Sequence, residues 1–481
     1  MFKVLAKYKF WIFVSILFLV LRLPSLFEPY WYGDEGIYLT LGQGIRKGLI
    51  IYNQIHDNKP PTLYYLAAIS QTVFGFRLLL TLIMIPTVYF FYCLSLHFLN
   101  SKISKIILVI FVILTSIPFI EGNIANAEIF MLLPTIVGLF FFLNAKKNAD
   151  YLLSGILLGL AFTIKVPVFI EFIFLFLWLF LNNFTKLKTH FWSVFLQLFI
   201  FGLGFIIPIF LWGIYFAAQG AFPLFLNSAL LQNFSYLSSW ATRVQTAPAS
   251  SSGLIARLVF LLLFWFLIYF LKIKKIIDTK FCFILFWLGA TVFGFLLSTR
   301  PYPHYLIQSI PPFCLILGQI LNFKNLKINI ISLISFLLLF LIIKKYKFYS
   351  YPTFNYYRSF YFSKSIADFH LSFGGNVDSV YQISEYIQKN SDPKDRIFVW
   401  GDEPYIYALS NRLPSGRYSV AYHIVDFDGY QETMASIKTY LPKFIVYYPM
   451  PNRSFDKLDD FINRYYIIDK TFGQIILFKI I

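Results

Sequence analysis

Charge is what this 481-residue chain has least of: 13% of its residues are Asp, Glu, Lys or Arg, against 58% hydrophobic. A soluble globular domain carries about twice that charge, so an ordinary soluble enzyme with one large core is excluded. Cysteine is nearly absent. Cys93, Cys282 and Cys314 fall inside apolar runs at no metal-ligand spacing, which excludes a cysteine metal centre and marks them as inert core thiols. No glycine-rich phosphate loop is present, so nothing points to a nucleotide-binding fold. Internal repeats and low-complexity linkers are missing as well. Acidic residues number only 23 against 41 basic ones, a formal charge of +18. That excess sits as Lys in short loops between apolar runs, which is what orientation in a bilayer requires, and nucleic acid is not indicated as a partner.

What is abundant is apolar and aromatic. The 59 Phe and 33 Tyr suit lipid-facing surfaces and interfacial belts. Runs of bilayer length or near it occur at 10–27, 77–99, 104–120, 127–145, 151–165, 166–183, 191–217, 254–271, 281–298, 304–321 and 328–343. The first lacks a small-residue cleavage site and is expected to be a retained helix, not a signal peptide. The run 62–75 is short and carries Tyr64, Tyr65, Gln71 and Thr72, so an interfacial helix is expected there. The predicted fold is a polytopic α-helical membrane protein with about 11 transmembrane helices and a C-terminal soluble α/β domain. Lys3, Lys7, Lys9, Lys102, Lys105, Lys146, Lys147, Lys186, Lys188, Lys272, Lys274, Lys275, Lys280, Lys324 and Lys327 then share one side. By the positive-inside rule that side is the cytoplasm, which places the N-terminus inside a cytoplasmic (inner) membrane and the C-terminal domain outside it. Lys344, Lys345 and Lys347 run against the trend.

Two domains are expected: residues 1–345 in the membrane, with an external loop of interfacial helices at 28–76, and an extracytoplasmic α/β domain at 346–481. In the latter, Val377–Asn390 reads as an amphipathic helix, Arg396–Trp400 as a buried strand and Pro404–Ser410 as a short helix. Phe444–Tyr448 reads as a second strand, Phe455–Ile462 as a helix and Tyr466–Lys479 as a terminal hairpin.

With this topology the polar residues of the membrane domain fall on one face. Asp34, Glu35, His56, Asp57 and Lys59 occupy the first external loop; Glu121, Asn123, Asn126 and Glu128 the second. Lys165 stands at an outer turn between two half-length runs, Arg300, His304 and Tyr305 at the outer end of Arg300-Pro-Tyr-Pro-His-Tyr305, and Arg22 near the outer end of the first helix. Carboxylates beside the membrane are costly and usually serve chemistry or ion handling. The cations suit a lipid phosphate held at the membrane surface. The carboxylates suit proton abstraction from a hydroxyl or amine, or a divalent cation. A sugar on a polyprenyl phosphate has a good leaving group once the phosphate is neutralised, and one general base on the far side of the sugar carbon then completes an inverting displacement.

Plainer readings stand beside these. Asp34 and Glu35 can cap a helix running to about Lys47. His56 and Asp57 can be polar members of a solvated loop. Lys59-Pro-Pro61 can simply fix the entry of the interfacial helix. Glu128 can be a helix N-terminal acid, and Lys165 can snorkel. Glu171 lies in an apolar run and either lines a cavity or pairs with Lys165. His370, Asp402, Glu403 and His423 read as surface residues. The loop 219–252, with Asn233, Tyr236 and Trp240, reads as a lid or a connector.

The motifs taken in order resemble the polyprenyl-phosphate-dependent GT-C glycosyltransferases, in the branch of protein O-mannosyltransferases and lipid A aminoarabinose transferases. The resemblance rests on Asp34-Glu35 with Tyr38, Lys59-Pro-Pro-Thr-Leu-Tyr-Tyr65, Asn126-Ala-Glu128, Thr163-Ile-Lys165 and Arg300-Pro-Tyr-Pro-His304-Tyr305. It covers roughly the first 320 residues and implies transfer of a sugar from a polyprenyl-phosphate donor to an extracytoplasmic acceptor, a glycolipid, envelope polymer or protein. It implies Asp34 as general base, with Glu35 positioning acceptor or donor. Glu128, where relatives usually carry Asp, becomes an acceptor or metal candidate beside Asp57. Lys165, Arg300 and Arg22 become the donor-phosphate residues, and Lys59, Tyr38, His304 and Tyr305 supporting ones. The competing reading is a membrane transporter or lipid flippase with charges lining an external vestibule. That class favours ionisable residues at mid-span and symmetric halves, neither of which this chain displays. A membrane scaffold leaves the external carboxylates unexplained. An oligosaccharyltransferase would be expected to show a tryptophan-rich acceptor-reading motif, which the C-terminal domain lacks.

Overall fold

The computed structural model describes residues 2–184, 187–232, 252–298, 300–322, 326–374 and 376–481. Asn233, Tyr236 and Trp240 lie outside the described residues. In the apolar part the helices are α1 (Phe2–Leu26), α2 (Gly33–Arg46), α3 (Thr62–Ser70), α4 (Val73–Phe98), α5 (Ser101–Leu114), α6 (Ala127–Phe130), α7 (Leu132–Leu143) and α8 (Asn148–Phe162). They continue with α9 (Val168–Asn182), α10 (Leu187–Ala218), α11 (Phe222–Phe225), α12 (Ser252–Ile273), α13 (Thr279–Leu296), α14 (Ile310–Leu321) and α15 (Leu326–Tyr346). The C-terminal part adds α16 (Thr353–Tyr361), α17 (Ile366–Leu371), α18 (Asn376–Lys389), β1 (Arg396–Trp400), α19 (Tyr405–Ser410) and β2 (Leu413–Pro414). It closes with α20 (Ala421–Asp426), α21 (Tyr430–Thr439), β3 (Phe444–Tyr447), α22 (Asp456–Tyr465), β4 (Tyr466–Phe472) and β5 (Ile475–Ile480).

Each of the eleven apolar runs is helical, and the chain is a multi-pass membrane protein. Among the described residues, seven helices are long and apolar enough to cross a bilayer. Four runs form shorter helices: α5, the α6–α7 stretch Ala127–Leu143, α8 and α9. Lys165-Val-Pro167 separates α8 from α9, because proline supplies no amide hydrogen to continue α8 and instead starts α9. Within the run 62–75 the chain forms one short helix: α3 has nine residues, about 14 Å of helix, far short of a hydrocarbon core. Side-chain caps fix other starts. Asn100 accepts from the Ile103 amide at the head of α5, and Asp278 from the Phe281 amide at the head of α13.

The chain forms two compact units. The first holds Met1–Leu23, Leu80–Gly213 and Leu231–Thr353; the second holds Pro24–Leu79, Ile214–Leu230 and Phe354–Ile481. This differs from the linear split at residue 345, since the first loop and α2–α3 belong with the C-terminal sheet. In the first unit α8 lies directly on the backbone of α10. A Cβ on Gly155 or Gly159 would stand 2.2 Å from the carbonyl oxygen of Phe201 or Phe205, the small-residue contact expected of helices in lipid. Stacked rings fill the gap beside it, with Phe172 and Phe205 centroids 4.0 Å apart.

The second unit is built on a five-stranded sheet of order β2-β1-β3-β5-β4. β2, β1 and β3 run parallel, β5 runs antiparallel to β3, and β4 pairs antiparallel with β5. Alternation along β1 covers both faces. Phe398 and Trp400 meet the residues of α20–α22, while Ile397 and Val399 meet those of α18 and α19. α2 packs on α19, where Thr40 donates to the Pro404 carbonyl at 2.8 Å and Gly36 faces Pro404 and Tyr405. On its other side α2 meets α3 at Gly42, where a Cβ would stand 2.6 Å from the Ala68 amide nitrogen. Gly42→Ala is therefore expected to push α3 off α2 and to lower stability by about 1–3 kcal/mol, read as a fall in the unfolding temperature of the purified protein.

Candidate active site

The sequence-predicted residues gather in two clusters, each inside its own unit. In the second unit, Asp34 and Glu35 occupy the first turn of α2, where the helix dipole favours acids. Neither caps the helix: the N-cap is Tyr32, with no side-chain cap bond. Asp34 accepts a hydrogen bond from the Tyr38 hydroxyl at 2.9 Å, and its side chain keeps 28% of its surface exposed. Lys59 Nζ stands 3.5 Å from Asp34 and 3.6 Å from Asp57, and lies 5.0 Å from the centre of the Tyr38 ring. One ammonium thus bridges two carboxylates.

Asp57 is buried rather than solvated. The Asn58 amide donates to it at 2.7 Å and the Tyr64 hydroxyl at 2.9 Å, with His423 Nε2 3.7 Å away. Burial raises its pKa, but Lys59, His423 and the Asn58 amide outweigh that, and the net shift is downward. The backbone here is tightly set. Tyr52 adopts a left-handed φ of 68°, and its hydroxyl donates to the Lys59 carbonyl at 2.7 Å.

Two histidines expected at the surface are inside. His56 keeps 1% of its surface and His423 5%. The reason is strand-like pairing of the first loop with the C-terminal domain: the His56 amide donates to the Arg417 carbonyl at 2.9 Å, and His56 bridges Tyr418. Burial lowers both pKa values, His56 well below the ordinary range and His423 to about 4.

Glu35 faces the other way from its neighbour. Arg77 holds it bidentately, Nε to Oε1 at 2.8 Å and Nη2 to Oε2 at 2.6 Å. The same guanidinium reaches Glu28 at 2.6 Å and the Ser25 carbonyl at 2.8 Å. Glu28 further accepts from Trp31 Nε1 and the Tyr356 hydroxyl. Of the adjacent acids, Asp34 is the one with an accessible carboxylate. Arg77 was legible as a charge opening an apolar run; its two partners were not, because nothing local links 28, 35 and 77.

In the first unit, Lys165 Nζ pairs with Glu128 at 2.7 Å and lies 5.0 Å from the centre of the Tyr305 ring. His304 joins two carboxylates, its Nδ1 on Glu121 and its Nε2 3.9 Å from Glu128. Tyr349 also donates to Glu121, which holds a left-handed φ of 60° after a 3₁₀ turn. Arg22 is buried and donates to the Thr115 carbonyl at 2.6 Å. Arg300 is 9% exposed, its amide donating to Ser298 at 3.4 Å. Glu171 does not pair with Lys165; it accepts from Trp287 Nε1 at 2.7 Å and Gln308 Nε2 at 2.8 Å, a buried tie between helices. Among the described residues no group of three or more His, Cys, Asp or Glu side chains is disposed to hold a metal ion.

No protein-family model and no curated protein matches this sequence. Solved structures do. ArnT from Cupriavidus metallidurans in the apo state superposes with a TM-score of 0.59 at 13% identity, covering 98% of both chains. The same protein bound to undecaprenyl phosphate gives 0.57 at 12% identity over 97% of both. The fold is that of ArnT, a GT-C fold. The likeness to ArnT runs through the C-terminal sheet as well as the helices, since it covers nearly the whole chain. A weaker overlap, TM-score 0.48 at 13% identity over 91% of this chain and 67% of the other, is with the oligosaccharyltransferase of Archaeoglobus fulgidus.

Two consequences follow from the geometry of this ArnT-like chain. Arg77→Met leaves two buried carboxylates without their cation and is expected to cost about 3–5 kcal/mol, measured as thermal stability of the purified protein, with Arg77→Lys intermediate because it loses the fork. His423 is neutral when folded and takes up a proton when unfolded between about pH 6.5 and 4. Its contribution is complete above pH 6.5 and falls by roughly 3 kcal/mol through that window as pH drops. The unfolding temperature should decline from pH 7 to 4.5, and His423→Gln should flatten that decline.

Proposed function

We propose that this chain is an integral membrane glycosyltransferase that moves a sugar from a polyprenyl-phosphate donor to an extracytoplasmic acceptor with inversion. One observation carries the reading: in an ArnT-like fold, Asp34 presents an accessible carboxylate beside Lys59 while Glu35 next to it is committed to Arg77. The undecaprenyl phosphate bound to ArnT supports a lipid-phosphate donor. In the proposed reaction Asp34 takes the proton of the acceptor hydroxyl or amine. The freed lone pair forms the bond to the anomeric carbon, and the bond from that carbon to the phosphate oxygen breaks, leaving the polyprenyl phosphate with the electron pair. Lys59, 3.5 Å away, orients Asp34. Asp57 and Tyr64 hold Lys59 in place. Glu35 serves by fixing α2.

Lys165, Arg300 and Arg22 are assigned to the donor phosphate, with Glu128 and His304 setting the position of Lys165. The excess of Lys in alternate loops supports a cytoplasmic N-terminus and an extracytoplasmic first loop and C-terminal domain. The sugar, and whether the acceptor is glycolipid, polymer or protein, are for the assay to name.

The test is transfer of radiolabelled sugar from a panel of polyprenyl-phosphate sugars in membrane fractions, with and without chelator. Asp34→Asn is expected to reduce transfer by about 10²–10⁴-fold, the range of a lost general base. Lys165→Ala should also reduce it, chiefly by weakening donor binding. An Asp34→Asn protein within tenfold of wild type removes the base assignment. Wild type and both variants behaving alike across the panel removes the glycosyltransferase reading.

A further inference from the structure

The segment 353–371 follows the last long apolar helix and was expected to belong to the soluble domain. Its composition is wrong for that: seven of its nineteen residues are Phe or Tyr, well above the 21% aromatic content of the whole chain. Some of these rings turn inward. Phe369 is fully buried, with the rings of Phe360 and Phe373 each 5.1 Å away, and Tyr356 bonds to Glu28. Others turn out. Phe354 is 76% exposed and Phe362 83%, with Ile366 and Leu371 exposed beside them. A soluble surface rarely presents such a group together.

The neighbours of this segment say what covers it. Phe360 stacks on Phe27 at 5.8 Å, and Phe27 lies 6.2 Å from Phe74. Phe27 directly follows α1 and Phe74 is the second residue of α4, two helices long and apolar enough to span a bilayer. Both therefore mark one membrane boundary, and the stacking on Phe27 sets α16 at that boundary. Between Phe27, Phe360, Ile366 and Phe369 lies a cavity of about 250 Å³, lined otherwise only by Ser363 and Ser365. It carries no charged side chain, so it suits hydrocarbon rather than a sugar or phosphate. Arg358 and Lys364 are exposed on the same segment, placed to meet lipid headgroups.

We propose that α16 and α17 form a lipid-facing arm lying in the membrane interface where α1 ends, with Phe354 and Phe362 among phospholipid acyl chains and the cavity taking one of them. The mixture of Phe and Tyr with flanking basic residues is that of an interfacial helix, not a span. Tyr356 ties this arm to Glu28, and through Arg77 to Glu35 on the helix that carries Asp34. The membrane surface thereby becomes a fixed reference for the Asp34 cluster.

The arm is tested without any transfer reaction, so its failure is separate from failure of the glycosyltransferase reading. The full chain, with Cys93→Ser to remove the half-buried thiol, receives Phe362→Cys or, as a control on α22, Lys457→Cys, each labelled with an environment-sensitive fluorophore. The proteins are reconstituted into phosphatidylcholine–phosphatidylglycerol vesicles with or without nitroxide-bearing acyl chains. The label at 362 should be quenched about twofold or more by the lipid nitroxide and little by aqueous iodide, and the label at 457 the reverse. Quenching at 362 by iodide and not by lipid overturns the proposal. Protection from both overturns it too, and together with a chemically cross-linked dimer assigns the face to a second copy of the chain.

Discussion

The Arg77 guanidinium is the constraint on which the second unit depends. It is buried with no exposed surface and holds Glu28, Glu35 and the Ser25 carbonyl at once. These partners come from the end of α1, the segment after it and the first turn of α2, while Arg77 itself stands near the start of α4. A charge in such a place is tolerable only when its donors are matched by acceptors, and the planar fork of arginine does this for two carboxylates where lysine cannot. The direction of α2 follows from it: with Glu35 committed to Arg77, Asp34 at the neighbouring position of the helix is turned to the more accessible side. Trp31 and Tyr356 complete the shell around Glu28 and bring the segment after α15 into the same network.

The two clusters share a design. In each, a lysine is neutralised by carboxylates and laid against a tyrosine ring: Lys59 with Asp34, Asp57 and Tyr38, and Lys165 with Glu128 and Tyr305. Such pairing preserves a charge in a region of low dielectric and fixes its position before any ligand arrives. In the proposed reaction this is useful in opposite senses. Lys59 orients a base, whereas Lys165 is held by Glu128 until a lipid phosphate competes for it. The strained backbone at Tyr52 and Glu121, one in each cluster, fits a need for fixed geometry at these points.

The C-terminal sheet contributes more than an appendage. The helices around it receive α2 at Gly36 and Thr40, and the Arg417–Tyr418 segment after β2 receives the strand-like backbone at His56. His423, from α20, closes the shell around Asp57. The first loop therefore owes its shape to residues more than 350 positions away in the chain.

Local physics was readable in the sequence. Apolar runs gave the helices, because a bilayer-length stretch with few charges has only one way to satisfy its backbone. A short continuous apolar run gave β1, which spans Arg396–Trp400 as expected, and the break at Lys165-Val-Pro167 was visible in the proline. The order of motifs gave the GT-C fold and brought Asp34, Lys59, Glu128 and Lys165 forward as candidates. Pairing was not readable. That Glu35 belongs to Arg77, that Glu171 belongs to Trp287 and Gln308, and that His56 and His423 are interior residues depend on contacts between residues far apart in the chain, from 42 positions upward. The short α20 and α21 and the two-residue β2 carry too little pattern to be seen alone. Sequence determined which segments enter the membrane and which residue types stand at its edge, because hydrophobicity and charge act locally. The tertiary structure alone decided which of two adjacent carboxylates is available, because that turns on where one distant arginine is buried.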